Sequence, residues 1–126
     1  MDRARLLLVV DDDPPSAHGL AKLLRSDGFL VDVALNGAAA VGRLSRRPVP
    51  DVLITDVRMP YVDGSAVARY ALACRPEAQI IFVTAYPAMV DGALGEPAIN
   101  AVVFTKPLDY ECLRGALKER ALSRES

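Results

Sequence analysis

The stretch DVLITDVRMPYVDG, residues 51–64, decides how this chain is read. Val52, Leu53, Ile54 and Thr55 make a strand-like run that ends on a carboxylate, Asp56, directly before Val-Arg-Met-Pro. A run this apolar is expected to be buried, and an ionised carboxylate is costly to bury unless something compensates it. Asp56 therefore either opens a solvated turn, the common use of an acid after a strand, or is held at the strand end for chemistry. The rest of the chain has to separate the two.

Four further apolar runs lie around it, at Leu6–Val10, 29–34, 80–84 and Ala101–Thr105. The run 29–34 contains Asp32, which suits an edge strand. The other runs, with 52–55, are nearly continuous and β-branched-rich, as expected of strands covered on both faces. Between the runs the period becomes helical. Ala17, Leu20, Ala21 and Leu24 recur at i, i+3, i+4, i+7, and so do Val67, Tyr70, Ala71 and Cys74. The alanine-rich stretch before Leu44 favours helix, and Leu113, Ala116, Leu117 and Ala121 share a face behind a possible N-cap, Asp109. The segment 86–99 fits less well: Gly92, Gly95 and Pro97 disfavour helix, so a short, bent or mobile element is expected there.

Strand and helix thus alternate five times, which implies right-handed crossovers and a parallel sheet with helices on both faces. The expected class is α/β, a doubly wound (βα)5 sandwich. A chain of 126 residues holds one such domain, 1–126, and is too short for two. Its ordered core is expected over about residues 5–122.

An apolar share of 52% predicts a packed domain rather than disorder. Fifteen Lys and Arg against 16 Asp and Glu give a net charge of −1, so nothing electrostatic points to nucleic acid or an anionic membrane. Cys74 and Cys112 lie 38 residues apart, without metal-like spacing, and read as small buried hydrophobes of two helices. No run approaches the ~20 apolar residues of a membrane span, and the first apolar run is too short for a signal peptide. A cytoplasmic protein with reduced thiols is the expectation.

In a doubly wound sheet, ligands bind beyond the carboxyl ends of the strands, at the switch point of strand order. The residues there are Asp11, Asp12 and Asp13 after the first run, Asp56 after the third, Thr84 at the fourth and Lys106 after the fifth. Unrelated surface loops would rarely gather acids, a hydroxyl and a lysine on one edge, which favours chemistry at Asp56. Two carboxylates ~5 Å apart repel by about 3 kcal/mol at an effective dielectric near 20. Three together would take up a proton or bind a cation. An all-oxygen set without histidine or thiol suits Mg²⁺ rather than zinc. A carboxylate beside Mg²⁺ can attack phosphorus to give an acyl phosphate, with Lys106 and the Thr84 hydroxyl available to the phosphoryl oxygens.

The blocks LLLVVDDDP, DVLITDVRMPYVDG, IIFVTA and VVFTKP resemble the signature blocks of the response-regulator receiver domain of two-component signalling. Their order and spacing match over essentially the whole chain, with 44 residues from Asp12 to Asp56 and 22 from Thr84 to Lys106. The resemblance implies a flavodoxin-like strand order 2-1-3-4-5. It makes Asp56 the phosphoacceptor, and Asp11, Asp12, Asp56 and the backbone carbonyl of Arg58 the Mg²⁺ site. Thr84 becomes the switch hydroxyl and Lys106 its phosphoryl-pairing partner, followed by a cis peptide to Pro107. Met59-Pro60 and Asp63-Gly64 shape the loop into the third helix. The implied partners are a histidine kinase or histidine phosphotransfer protein, with a possible output domain or downstream protein and a possible homodimer. The protein would catalyse only its own phosphorylation and dephosphorylation, so it is not expected to act as an enzyme on an external substrate.

The family usually carries Phe or Tyr three residues before the lysine, where this chain has Val103, with Phe104 one residue later. A one-residue register change would turn the later side chains to the wrong face. Signalling is therefore expected to run through the backbone of 86–99 rather than a swinging ring. Arg58 and Tyr86, both bulky and each two residues after a site residue, are expected to lengthen the phosphoryl lifetime. Asp13 is expected to begin the first helix with Pro14 and Pro15, His18 to lie on the surface or to pack rather than to act as a phosphoryl donor, Arg46-Arg47 to form a solvated helix end, and Tyr110 to pack or shape an interaction face. Two rival readings stand beside the receiver: a haloacid-dehalogenase-like phosphatase with Asp11 as nucleophile, and a receiver-shaped interaction module that is never phosphorylated.

Overall fold

The computed structural model describes residues 4–59, 63–85 and 101–125, with side chains of the last helix described as far as Lys118. Five parallel strands, β1 (Leu6–Val10), β2 (Leu30–Ala34), β3 (Val52–Asp56), β4 (Gln79–Thr84) and β5 (Ala101–Thr105), form one sheet in the order β2-β1-β3-β4-β5. Four helices are described: α1 (Pro14–Ser26), α2 (Gly37–Leu44), α3 (Gly64–Cys74) and α4 (Tyr110–Glu125). The helix expected within 86–99 lies outside the described residues. The doubly wound parallel sheet is as the strand–helix alternation implies, and its strand order is as the resemblance implies.

The continuous apolar runs of β1, β3 and β4 still obey the period of two. Leu8, Val10, Leu53, Ile80 and Phe82 face one side, where Ala40 and Leu44 of α2 and Val67, Ala68 and Ala71 of α3 cover them. Leu7, Val9, Val52, Ile54, Ile81 and Val83 face the other, against Ala17, Ala21 and Leu24 of α1 and Leu113 and Leu117 of α4. Each helix is started by a short acid or amide that accepts from a backbone N–H of its first turn. Asp13 accepts from Ser16 at 3.1 Å, Asn36 from Ala39 at 2.7 Å, Asp63 from Ala66 at 2.9 Å and Asp109 from Cys112 at 3.3 Å.

Three expectations need correction. The run of β5 is not covered on both faces: Val102 is 43% and Val103 36% exposed, because β5 is an edge of the sheet, as β2 is. Tyr70 lies outside the buried face of α3, its hydroxyl 2.5 Å from Ser45 Oγ, and Ala68 takes its place in the core. Cys112 is exposed on the first turn of α4 and Cys74 half-buried; both are free thiols. The β5 register is settled by its ladder. Val83 faces Phe104 and Thr84 faces Thr105, with the Phe104 ring on the α1/α4 side of the sheet. Phe104 therefore does not stand in for Val103, which points the opposite way.

At the amino ends of the strands a buried acid ties the sheet together. Asp51, only 5% exposed, accepts from the Leu6 N–H at 2.8 Å and pairs with Arg75 at 2.9 Å. Arg5 bridges to Gln79 Oε1 at 2.9 Å and to the Leu117 carbonyl at 2.8 Å. Among the described residues, no helix is long and apolar enough to cross a membrane.

Candidate functional site

The strand order 2-1-3-4-5 makes β1 and β3 neighbours although the chain leaves them in opposite directions across the sheet. The crevice beyond that pair is where a doubly wound fold binds ligands. Asp11 follows the last residue of β1, Asp56 is the last of β3, Thr84 the last of β4, and Lys106 follows β5. The ladders align Val10 with Thr55, Asp56 with Val83 and Thr84 with Thr105, so these residues reach the edge at one level.

Carboxylate oxygens of Asp11, Asp12 and Asp56 lie within 4.8 Å of one another. Lys106 Nζ donates to Asp56 Oδ2 at 2.7 Å and stands 3.7 Å from Asp11 Oδ2. Asp56 Oδ1 is 3.3 Å from the Arg58 N–H, and Asp11 Oδ1 accepts from the Asp13 N–H at 3.0 Å. Asp11 and Asp56 are largely covered, while Asp12 is exposed. Burial raises the Asp11 carboxyl above its ordinary range, although the Asp13 N–H and the Lys106 charge pull it back. Burial also works against the Lys106 ammonium, but the hydrogen bond and charge of Asp56, with Asp11 and Asp12 beyond, outweigh it and hold the lysine above its ordinary value.

Among the described residues, three carboxylates stand with one ammonium, an excess of acid that a divalent cation would offset. All the donors are oxygens, one acid is open to solvent, and no histidine or thiol is near, so the set fits Mg²⁺.

Backbone packing holds Asp56 in place. The Gly64 N–H donates to the Val57 carbonyl at 2.7 Å, bringing the start of α3 against the strand end. A Cβ on Gly64 would collide with the Asp56 carbonyl oxygen and stand 3.0 Å from Val57 Cα. The buried Thr55 hydroxyl donates to the same Asp56 carbonyl at 2.9 Å. Thr84 is buried, and its carbonyl receives the Lys106 N–H at 2.8 Å. The Lys106–Pro107 peptide is cis, as the resemblance implies; so is Arg47–Pro48.

A family model described as response regulator receiver domain matches residues 7–118. The chain belongs to the response regulator receiver domain family. This receiver is 34% identical over 117 residues to the response regulator receiver protein CpdR of Brucella abortus, covering 93% of this chain and 97% of CpdR. It is 35% identical over 119 residues to the transcriptional regulatory protein ZraR of Escherichia coli K12, where it spans 93% of this chain and 26% of ZraR. Among solved structures, a response regulator receiver protein of Sinorhizobium medicae superposes with a TM-score of 0.82 at 27% identity, covering 93% of this chain and 94% of that one. The response regulator TrrA of Thermotoga maritima, crystallised with Mg²⁺–BeF, superposes at 0.78 with 29% identity, covering 91% and 97%.

The receiver brings together Asp11, Asp12, Asp56 and Lys106, with Thr84 at the adjoining strand end. Arg58 is exposed on the loop after Asp56; Tyr86 lies outside the described residues. Asp13 is the N-cap of α1, its carboxyl lowered by hydrogen bonds from the Ser16 hydroxyl and N–H. His18 is exposed, as are Arg46 and Arg47. Asp13 and Asp109 cap helices, and Glu111 pairs with Arg114 at 3.0 Å. Sequence reasoning missed the close approach of Gly64 to Asp56, although the Asp-Gly pair entering a helix marks the place. It also missed the apolar cavity of about 350 Å³ that opens at Asp11, Asp56 and Lys106 between α1 and the loop 106–110. Leu20, Leu23, Ile54, Val83, Leu108 and Tyr110 line it.

Proposed function

We propose that this receiver accepts a phosphoryl group on Asp56 from a phosphohistidine of a histidine kinase or histidine phosphotransfer protein. The observation that carries this reading is the Asp56 carboxylate, held at a strand end among two further acids and hydrogen-bonded to Lys106 at 2.7 Å. An Asp56 oxygen attacks phosphorus, the phosphorus–nitrogen bond breaks with its electron pair returning to the imidazole, and an acyl phosphate forms. Asp11, Asp12 and Asp56, with the Arg58 carbonyl, would hold Mg²⁺, which supplies charge neutralisation to the phosphoryl oxygens. Lys106 exchanges its Asp56 oxygen for a phosphoryl oxygen, and the Thr84 hydroxyl donates to another. The bond between Lys106 and Asp56 is thereby broken, so the phosphorylated form favours a different arrangement of the loop 106–110. The apolar cavity beside the acids gives the donor a surface to dock on. Full switching of a two-state equilibrium from 1:99 to 99:1 requires ~5.5 kcal/mol of differential stabilisation.

On this reading the protein is a cytoplasmic signalling component rather than an enzyme with an external substrate. Its likeness to CpdR over nearly that protein's whole length suits a stand-alone regulator, while the quarter of ZraR that it spans suits a module joined to an output domain. The test is intact-mass measurement after incubation with acetyl phosphate and Mg²⁺. Wild type should gain one phosphoryl group and Asp56→Asn none; no gain in wild type, or an equal gain in the variant, overturns the reading.

A further inference from the structure

The last turn of α1 is tied to the first residue of α4. The Tyr110 hydroxyl donates to Asp27 Oδ2 at 2.5 Å and lies 3.1 Å from the Leu23 carbonyl. Asp27 is the C-cap residue of α1 and also stands 3.5 Å from Arg114 Nε of α4. α1 starts at Pro14, behind its N-cap Asp13, directly after the acids of the site, and Tyr110 follows Lys106 by four residues. The tie therefore closes a ring: acid-bearing loop, α1, Asp27, Tyr110, the loop 107–109, Lys106 and back to Asp56. Within that loop Asp109 caps α4 and Lys106 is pinned to the Thr84 carbonyl, so little slack remains between the tyrosine and the lysine. Tyr110 also lines the cavity that Asp11, Asp56 and Lys106 line.

We infer that Tyr110 and Asp27 are positioning residues that hold Lys106 against Asp56 for phosphoryl capture. A long flexible lysine loses rotamer freedom to reach one oxygen. Anchoring the loop that carries it at both ends limits where its backbone can drift, and displacements near 1 Å are enough to slow a positioned reaction. The consequence for rate rests on the phosphoacceptor role proposed above; the consequence for geometry does not.

Both are tested in the full chain with Tyr110→Phe and Asp27→Asn, each confirmed folded by its melting curve. A carbodiimide joins a carboxylate to an amine only in direct contact, so the yield of Lys106–Asp56 amide, read by peptide mass spectrometry, reports the geometry. Both variants should lower that yield by about threefold or more and slow acetyl-phosphate-driven phosphorylation on the order of 3–10-fold. Tyr70→Phe, on the far side of the sheet, should change neither. In a Lys106→Met background Tyr110→Phe should have no further effect on rate, because it acts through the lysine. An unchanged crosslink yield, or rate losses that multiply in the double variant, overturns the inference. A wild type that crosslinks in a Tyr110-dependent way yet takes up no phosphoryl group leaves the inference standing and removes the proposed function instead.

Discussion

Lys106 Nζ stands 2.7 Å from Asp56 Oδ2 and 3.7 Å from Asp11 Oδ2, reaching from β5 across the end of β4. One ammonium thus restrains two acids that face each other across the switch point of the sheet. Lys106→Met should slow phosphorylation by acetyl phosphate about 10–100-fold, the equivalent of a charged hydrogen bond of ~1.5–3 kcal/mol. Mg²⁺ affinity should be retained or tightened, since a competing cation is removed. Time courses of intact mass and a Mg²⁺ titration measure the two separately.

Asp11 is held above the ordinary carboxylate range chiefly by burial. A raised folded-state value means that its contribution to stability is present below the unfolded pKa and is lost as pH rises through the folded one. At neutral pH, without divalent ions, Asp11 is therefore a liability. Asp11→Asn should raise the melting temperature there, with the gain vanishing in acid. Mg²⁺ at 100 times its Kd should stabilise wild type by about 2.7 kcal/mol and the variant much less. Thermal melts with and without Mg²⁺ check both.

Gly64 has no room for a methyl group beside the Asp56 carbonyl. Gly64→Ala must push α3 or the strand end aside, at a cost of about 1–3 kcal/mol. Because the atom struck belongs to the proposed phosphoacceptor itself, phosphorylation should slow even in the fraction that remains folded. Urea unfolding and the mass assay together separate the two effects.

Tyr110 is pushed up to about 12, first by burial and then by the hydrogen bond and charge of Asp27. Its stabilising contribution is complete below the ordinary tyrosine value near 10 and disappears as pH rises towards 12. Stability should fall across that window in wild type and fall less in Tyr110→Phe. Denaturant midpoints collected from pH 9 to about pH 11.5 would record the difference.

Asp51 is a buried acid whose partners include the Leu6 N–H and Arg75. Asp51→Ala would leave both without it at the amino edge of the sheet, a loss of about 3 kcal/mol. Phosphorylation of the folded fraction should be unaffected, because Asp51 stands at the opposite end of β3 from Asp56. Urea midpoints set beside phosphorylation rates make that comparison.

Most of the site was legible because it is written at strand ends. Asp11, Asp56, Thr84 and Lys106 each terminate an apolar run, and parallel pairing brings the ends of such runs to one edge whatever the loops do. Asp13, Asp63 and Asp109 were legible as helix starts for the same local reason: a cap needs only the N–H groups two or three residues ahead. The exposure of β5 was not legible. Its sequence is as apolar as that of a central strand, and only its place at the sheet edge leaves Val102 and Val103 uncovered.

By itself the amino-acid order determined the alternation of strand and helix, the two faces of the sheet and the identity of the acids and lysine at its carboxyl edge. These follow from periodicities and local hydrogen bonds that span a few residues. Tertiary structure alone decided that Asp51 would find Arg75, that Tyr110 would reach Asp27 across 83 residues of chain, and that Gly64 would lie against the Asp56 carbonyl. Such contacts depend on how packed layers settle against one another, and distances of that kind are properties of the folded whole rather than of any segment.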